Sequence, residues 1–109
     1  MMTNTTGVVA VLVTCPTREV AEMLGRGAVE DNIAACSQVL GEIRSFYRWE
    51  GKVCDDQEFL VIFKIAKNSF DALEAFILAK HPYDIPQIVA LPVVDGNLSY
   101  ISWVLETMG

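Results

Sequence analysis

Histidine is nearly missing from this chain of 109 residues, which holds a single one, His81. No serine or cysteine therefore has an evident imidazole partner, and the HExxH, phosphate-loop and GxSxG patterns do not occur. The chain reads as a non-enzyme. Cysteine is scarce as well. Cys15, Cys36 and Cys54 are odd in number and widely spaced, which fits neither a disulfide framework nor a CxxC zinc site. A reducing cytoplasm is the economical setting. Positive charge is thin: 8 Lys and Arg stand against 14 Asp and Glu, a formal charge of −6 with no basic run. That balance argues against nucleic acid and anionic membranes as partners. No apolar run approaches the roughly 20 residues needed to cross a bilayer. The short run Gly7 to Val13 follows polar MMTNTT without a basic region, so it is not a secretory signal. Gly25 and Gly27 lie inside a helical period rather than between a strand and a helix, so they form no phosphate loop, and no organic cofactor is expected.

What the chain does have is apolar residues, 52% of the total. The length allows one domain with one core. A domain this small cannot hide so much apolar surface by itself, and burial between subunits of a homo-oligomer is the favoured outlet. Residues 1–6 form a polar tail expected to fray, and residues 7–109 form the domain.

Gly7 to Cys15, rich in β-branched residues, predicts a central strand. Pro16 ends it, and Thr17 is a suitable N-cap for a helix running to about Asp31, whose apolar face carries Val20, Ala21, Leu24, Ala28 and Val29. Gly25 and Gly27 either weaken this helix or permit close packing. Ile33 to Leu40 opens a second strand, with a bend or bulge at Gly41. Asn68-Ser69 is expected to cap a second helix that stops near Lys80, ahead of Pro82. Gln87 to Val94 predicts a fourth strand, with Pro92 marking an edge. Asp95-Gly96-Asn97 then turns the chain into a short final helix bearing Tyr100, Trp103, Val104 and Met108.

The central feature is the stretch Ile43 to Ala66, which predicts one long β-hairpin. Its first arm interleaves Phe46, Tyr47 and Trp49 with Arg44, Arg48 and Lys52, and Glu50-Gly51-Lys52 supplies the turn signal. The second arm, Glu58 to Ile65, is almost continuously apolar, as a strand covered on both faces would be. An arm of ten residues reaches roughly 33 Å, more than so small a domain needs for its own core. It is expected to pack on another subunit, the alternative being cover by its own helices. The order β-α-β-β-α-β with an appended C-terminal helix is the split βαβ, ferredoxin-like pattern of an α+β domain.

The elements VLVTCPT, IAACSQV, YRWEGKV, HPYDIPQIVALPV and the closing YISWV, in this order and spacing from about Val8 to Leu105, resemble the CutA divalent-cation-tolerance family. YRWEGK together with HPY-x-x-P is the specific part of the match. The resemblance implies a ferredoxin-like subunit in a tight homotrimer, with sheets packed around a three-fold axis in an architecture shared with PII signalling proteins. It also implies a cytoplasmic protein linked to tolerance of copper and other divalent cations.

Candidate chemistry centres on few residues. An imidazole binds copper or zinc, or it sits favourably at a helix end, and His81 is open to both readings. The resemblance places the HPY turn at a subunit cleft. Some members carry a second His at the position of Lys80 and a Cys at that of Val13, and this chain has neither, so that copper site does not carry over intact. Cys15 is displaced by two residues, which restores the same strand face about 6.6 Å further along, and it is the candidate substitute. Cys36 is expected to point into the core as a small apolar side chain, and Cys54 to be exposed and oxidisable. Tyr47, Trp49, Lys64 and Tyr83 are the family-pattern positions for an inter-subunit pocket. Lys64 interrupts an apolar strand and needs a partner, for which Glu50, Glu58 and Asp84 are candidates. It is either one half of a structural ion pair or the ligand of a small anion in a PII-like signalling module. The surface carboxylates Asp55, Asp56 and Glu58 attract cations or are simply solvated. Weak divalent-cation binding in a homotrimer is the leading expectation, and small-anion signalling is the alternative.

Overall fold

Residues 6–109 are described in a computed structural model. Strand β1 is Val8–Cys15, helix α1 Arg18–Glu30, β2 Cys36–Trp49, β3 Lys52–Ala66, α2 Phe70–Lys80, β4 Ile88–Pro92 and α3 Leu98–Met108. The four strands form one antiparallel sheet in the order β2-β3-β1-β4, which is the ferredoxin-like arrangement the element order implies. Residues 1–5 of the polar tail lie outside the described residues. Thr6 is described, and its hydroxyl donates to the Val93 carbonyl and accepts the Val8 N–H at 3.1 Å.

Alternation along the strands sends one residue set to each face. Val9, Val11, Val13 and Cys15 of β1 join Val61, Phe63 and Ile65 of β3 under Ala21, Leu24 and Ala28 of α1 and Leu73 and Ile77 of α2. Burial stabilises each large apolar side chain here by roughly 1.5–3 kcal/mol. Ambiguity over the α1 glycines resolves in favour of packing. A Cβ on Gly27 would lie 2.9 Å from Phe76 of α2, and one on Gly25 would meet the Ser37 hydroxyl at 3.0 Å. That hydroxyl instead donates to the Gly25 carbonyl at 2.9 Å.

The opposite face is only partly covered. Helix α3 lies over one end of it, where Ile101 and Val104 pack with Val8 and Ala35. The register places Leu12, Leu60, Ile62, Leu40, Val89 and Leu91 on the same face, and of these Leu40, Val89 and Leu91 are exposed. Lys64 lies on this face too.

Several boundaries differ from the sequence reading. Strand β2 begins at Cys36 rather than Ile33, because Ile33 and Ala34 both donate their N–H to the Ala28 carbonyl and close α1. Asn68-Ser69 belongs to a 3₁₀ turn, Lys67–Ser69, and the Ser69 side chain makes no capping bond. Thr17 does cap α1, accepting the Val20 N–H at 3.1 Å, and Asn97 caps α3 through the Tyr100 N–H at 3.0 Å. The bulge falls between Leu40 and Ile43, at the expected glycine. The hairpin loop is Glu50-Gly51 alone, both at positive φ (51° and 76°), the pairing of signs that matches the twist of the flanking strands. Strand β4 sits at the sheet edge and ends at Pro92, as a residue without an N–H requires.

Candidate functional site

Partner strand β1 stops at Cys15, opposite Phe59, so Lys52–Glu58 of β3 and Ile43–Trp49 of β2 continue as a two-stranded arm. It extends roughly 23 Å past the sheet at about 3.3 Å per residue. The segment 81–86 that follows α2 lies beside the base of this arm. Between them is a cleft of about 790 Å³ lined by Thr14, Arg44–Tyr47, Trp49, Glu58, Pro82–Ile85 and Gln87.

His81 sets the turn. Its N–H closes α2 on the Ile77 carbonyl at 2.8 Å, and the residue as a whole is 8% exposed. Nδ1 accepts the Tyr83 N–H at 3.1 Å, which fixes the proton on Nε2, and Nε2 donates to the Thr14 carbonyl at 2.9 Å. The rings of His81 and Tyr83 are 4.8 Å apart. One imidazole thus ties the turn to the end of β1 and aims Tyr83 into the cleft.

Tyr83 donates its hydroxyl to Glu58 Oε2 at 2.8 Å, and burial followed by the Glu58 hydrogen bond holds the phenol well above its ordinary range. Glu58 itself is 6% exposed. On the same face of the arm, Tyr47 donates to Asp56, and this bond is the main cause that raises the Tyr47 phenol to about 12. Arg44 grips Asp55 through Nε and an Nη at 2.8 and 2.9 Å. Both phenols are therefore held as hydrogen-bond donors to carboxylates.

The structure brings Tyr47, Trp49 and Tyr83 together in the cleft, and it places Lys64 elsewhere. Lys64 Nζ donates to Gln38 Oε1 at 2.7 Å, so its partner is an amide on β2 rather than Glu50, Glu58 or Asp84. Cys15 lies in the core at 0% exposure, and burial first, then the Glu58 charge, pushes its thiol up to about 11. As placed, Cys15 and His81 do not fit a metal ion. The thiol is held protonated among apolar side chains, and each imidazole nitrogen already has a partner. Among the described residues no three His, Cys, Asp or Glu side chains converge as ligands. Cys36 is not a core residue on the helix side. It lies on the other face, half-buried, with Sγ 3.2 Å from the Tyr100 hydroxyl. Glu58 is the residue that sequence reasoning undervalued as a surface carboxylate. Its period-two relation to Leu60 and Ile62 puts it on the sheet face opposite the helices, so the strand pattern did not announce its burial.

Comparison with known proteins matches residues 9–107 to the family described as CutA1 divalent ion tolerance protein. The chain is 41% identical over 99 residues to the divalent-cation tolerance protein CutA of Thermus thermophilus, covering 91% of this chain and 96% of that one. It is 40% identical over 97 residues to protein CutA of Homo sapiens, covering 89% of this chain but 54% of the human protein. It therefore spans about half the length of that relative. The solved T. thermophilus structure superposes with a TM-score of 0.90 at 40% identity, covering 94% of this chain and 99% of that one. A CutA structure from Archaeoglobus fulgidus, described as a periplasmic divalent cation tolerance protein, superposes with a TM-score of 0.90 at 31% identity and the same coverage.

Proposed function

The chain belongs to the CutA1 divalent ion tolerance family, and from that premise we propose that it is a homotrimeric protein of divalent-cation tolerance that takes up cations weakly. The half-bare sheet face carries the oligomeric part of this reading. Leu40, Val89 and Leu91 stand exposed beside Leu12, Leu60 and Ile62, and the arm adds exposed Phe46, Tyr47, Trp49 and Val53. Sheet-to-sheet packing is a standard way to bury such a face, and a stoichiometry of three is what the family resemblance implies. Any uptake at His81 requires the turn to rearrange, since a cation there must displace either the Tyr83 N–H or the Thr14 carbonyl, and for that reason we propose it to be weak. The formal charge of −6 favours cation approach. A binding role rather than an enzymatic one is supported by Cys15, whose thiol is held far from the reactive thiolate. Three free cysteines support a cytoplasmic setting, although the A. fulgidus relative is described as periplasmic.

Native mass spectrometry of the reduced, metal-free protein, titrated with Cu(I), Cu(II) and Zn(II), tests both parts. The expected result is a trimer that takes up metal in multiples of three, with uptake lost in His81→Ala. A bare trimer, or uptake undiminished in His81→Ala, removes the cation site at the turn. A monomer removes the assembly.

A further inference from the structure

The sheet face opposite α1 and α2 carries one charge where its assembly needs none. Cys36, Lys64, Ala10 and Leu91 make one cross-strand row on this face, and the next two rows, which pass through Ile62 and Leu60, hold no charged side chain. A string of polar contacts fixes where that charge sits. Lys64 Nζ donates to Gln38 Oε1 at 2.7 Å, the Gln38 amide nitrogen is 3.8 Å from Cys36 Sγ, and this sulfur is 3.2 Å from the Tyr100 hydroxyl of α3. An ammonium group has three N–H donors, and Gln38 receives one of them.

Apolar faces attract without direction, so a face of Leu, Ile and Val alone fits a second copy in several registers. A lysine head taken out of water without acceptors costs several kcal/mol, which penalises every register that leaves it unmet. Copies of this chain have oxygen acceptors to bring, with 14 Asp and Glu against 8 Lys and Arg. We propose that Lys64, held in place by Gln38, selects the register in which copies of the chain pack on this face, a neighbouring copy supplying oxygen acceptors for its two remaining N–H groups. The inference rests on the homotrimer reading and names the side chain that makes the assembly unique. It also gives a role to a basic residue in an apolar strand whose partner in its own subunit is an amide. Replacing a buried charge and its partner together by apolar side chains is often neutral or stabilising. Association is therefore expected to survive such a change while its uniqueness is lost, as when a buried polar residue is removed from a coiled-coil seam.

Brief acetylation of the assembled parent protein compares Lys64 with the exposed Lys67 and Lys80. Lys64 should react at least tenfold more slowly than either, and comparable reactivity overturns the proposal. Native mass spectrometry and amide NMR then compare the parent with Gln38→Leu/Lys64→Met. The parent should give one stoichiometry and one set of amide resonances, as closed symmetry requires. The double variant should dissociate no more readily on dilution, while other stoichiometries or additional resonance sets rise at least tenfold. Lys64→Arg keeps the charge and the donors and should behave as the parent does. A double variant with one stoichiometry and one resonance set overturns the proposal and leaves the homotrimer standing, whereas a monomeric parent overturns both. If the double variant fails to fold, the acetylation contrast on the parent decides alone.

Discussion

Strand β3 lives in two environments along one stretch of chain. At its root Val61, Phe63 and Ile65 are fully buried between the sheet and two helices, whereas Val53 near its tip is 68% exposed, as is Phe46 across the arm. Root residues are chosen for volume and shape, because neighbours from β1, α1 and α2 surround them. Tip residues contribute little to the fold of the single subunit, yet Phe46, Trp49 and Val53 stand exposed among the charged residues of the arm. The difference separates what makes the fold from what the fold displays. Glu58 and Gly41 mark the junction, one lining the cleft and the other seating the bulge.

Phe63→Ala should have the largest effect, a loss of about 3–5 kcal/mol in denaturant-induced unfolding, since it empties a site walled by both helices. A loss no greater than that of Phe46→Ala would break the contrast between root and tip. Gly41→Val comes next. A Cβ there would meet the Phe59 ring at 2.6 and 2.7 Å and Arg18 at 2.9 Å. Phe59 is packed against the core and cannot retreat freely, so a loss of about 1–3 kcal/mol is expected. An unchanged midpoint would show that root and arm are not rigidly joined.

Local chemistry explains which parts of this architecture were legible in the sequence. The β-branched run before Pro16, the Thr17 cap, Gly41 and Pro92 each announce themselves, because their effects act within a few residues. The path of α3 is not local: only tertiary packing decides that Ile101 and Val104 meet Val8 and Ala35 on the face opposite α1 and α2. Cys36 was misplaced for that reason, since an apolar neighbourhood in sequence does not say which face is covered. The cleft was half legible. Tyr47, Trp49 and Tyr83 were recognisable as a set, while Lys64 was grouped with them because a basic residue in an apolar strand draws attention whatever its position. Glu58 was read as a surface carboxylate rather than a cleft residue, because its burial arises from the 81–86 turn, which comes more than twenty residues later.

Tyr83→Phe probes the junction more gently. It removes a hydrogen bond to a buried carboxylate, with an expected cost of about 1–2 kcal/mol at neutral pH. The pH dependence carries a sign. A phenol whose folded value is raised stabilises the protein fully below its unfolded value of about 10, and that contribution is lost as pH rises towards the folded value. The parent should therefore lose stability above about pH 10 more steeply than Tyr83→Phe does. Parallel curves in an alkaline melting series would mean that the phenol is not held by Glu58.

Arg44→Met should have the smallest effect and sharpens the comparison from the tip side. Arg44 and Asp55 form a well-aligned bidentate pair, but their side chains are 66% and 42% exposed. Water and salt screen such a pair, and fixing two flexible side chains offsets most of the attraction. The Asp55 carboxyl is held below its ordinary range chiefly by the Arg44 hydrogen bond. Its contribution is therefore present above the unfolded value of about 3.9 and disappears as pH falls through the lowered one. Melting at low ionic strength should show a slight loss in Arg44→Met near neutral pH, and about 0.5 M salt should shrink it because the Debye length falls to a few ångströms. A large, salt-independent loss would mean that the arm is anchored by this pair and that its tip belongs, energetically, with the root.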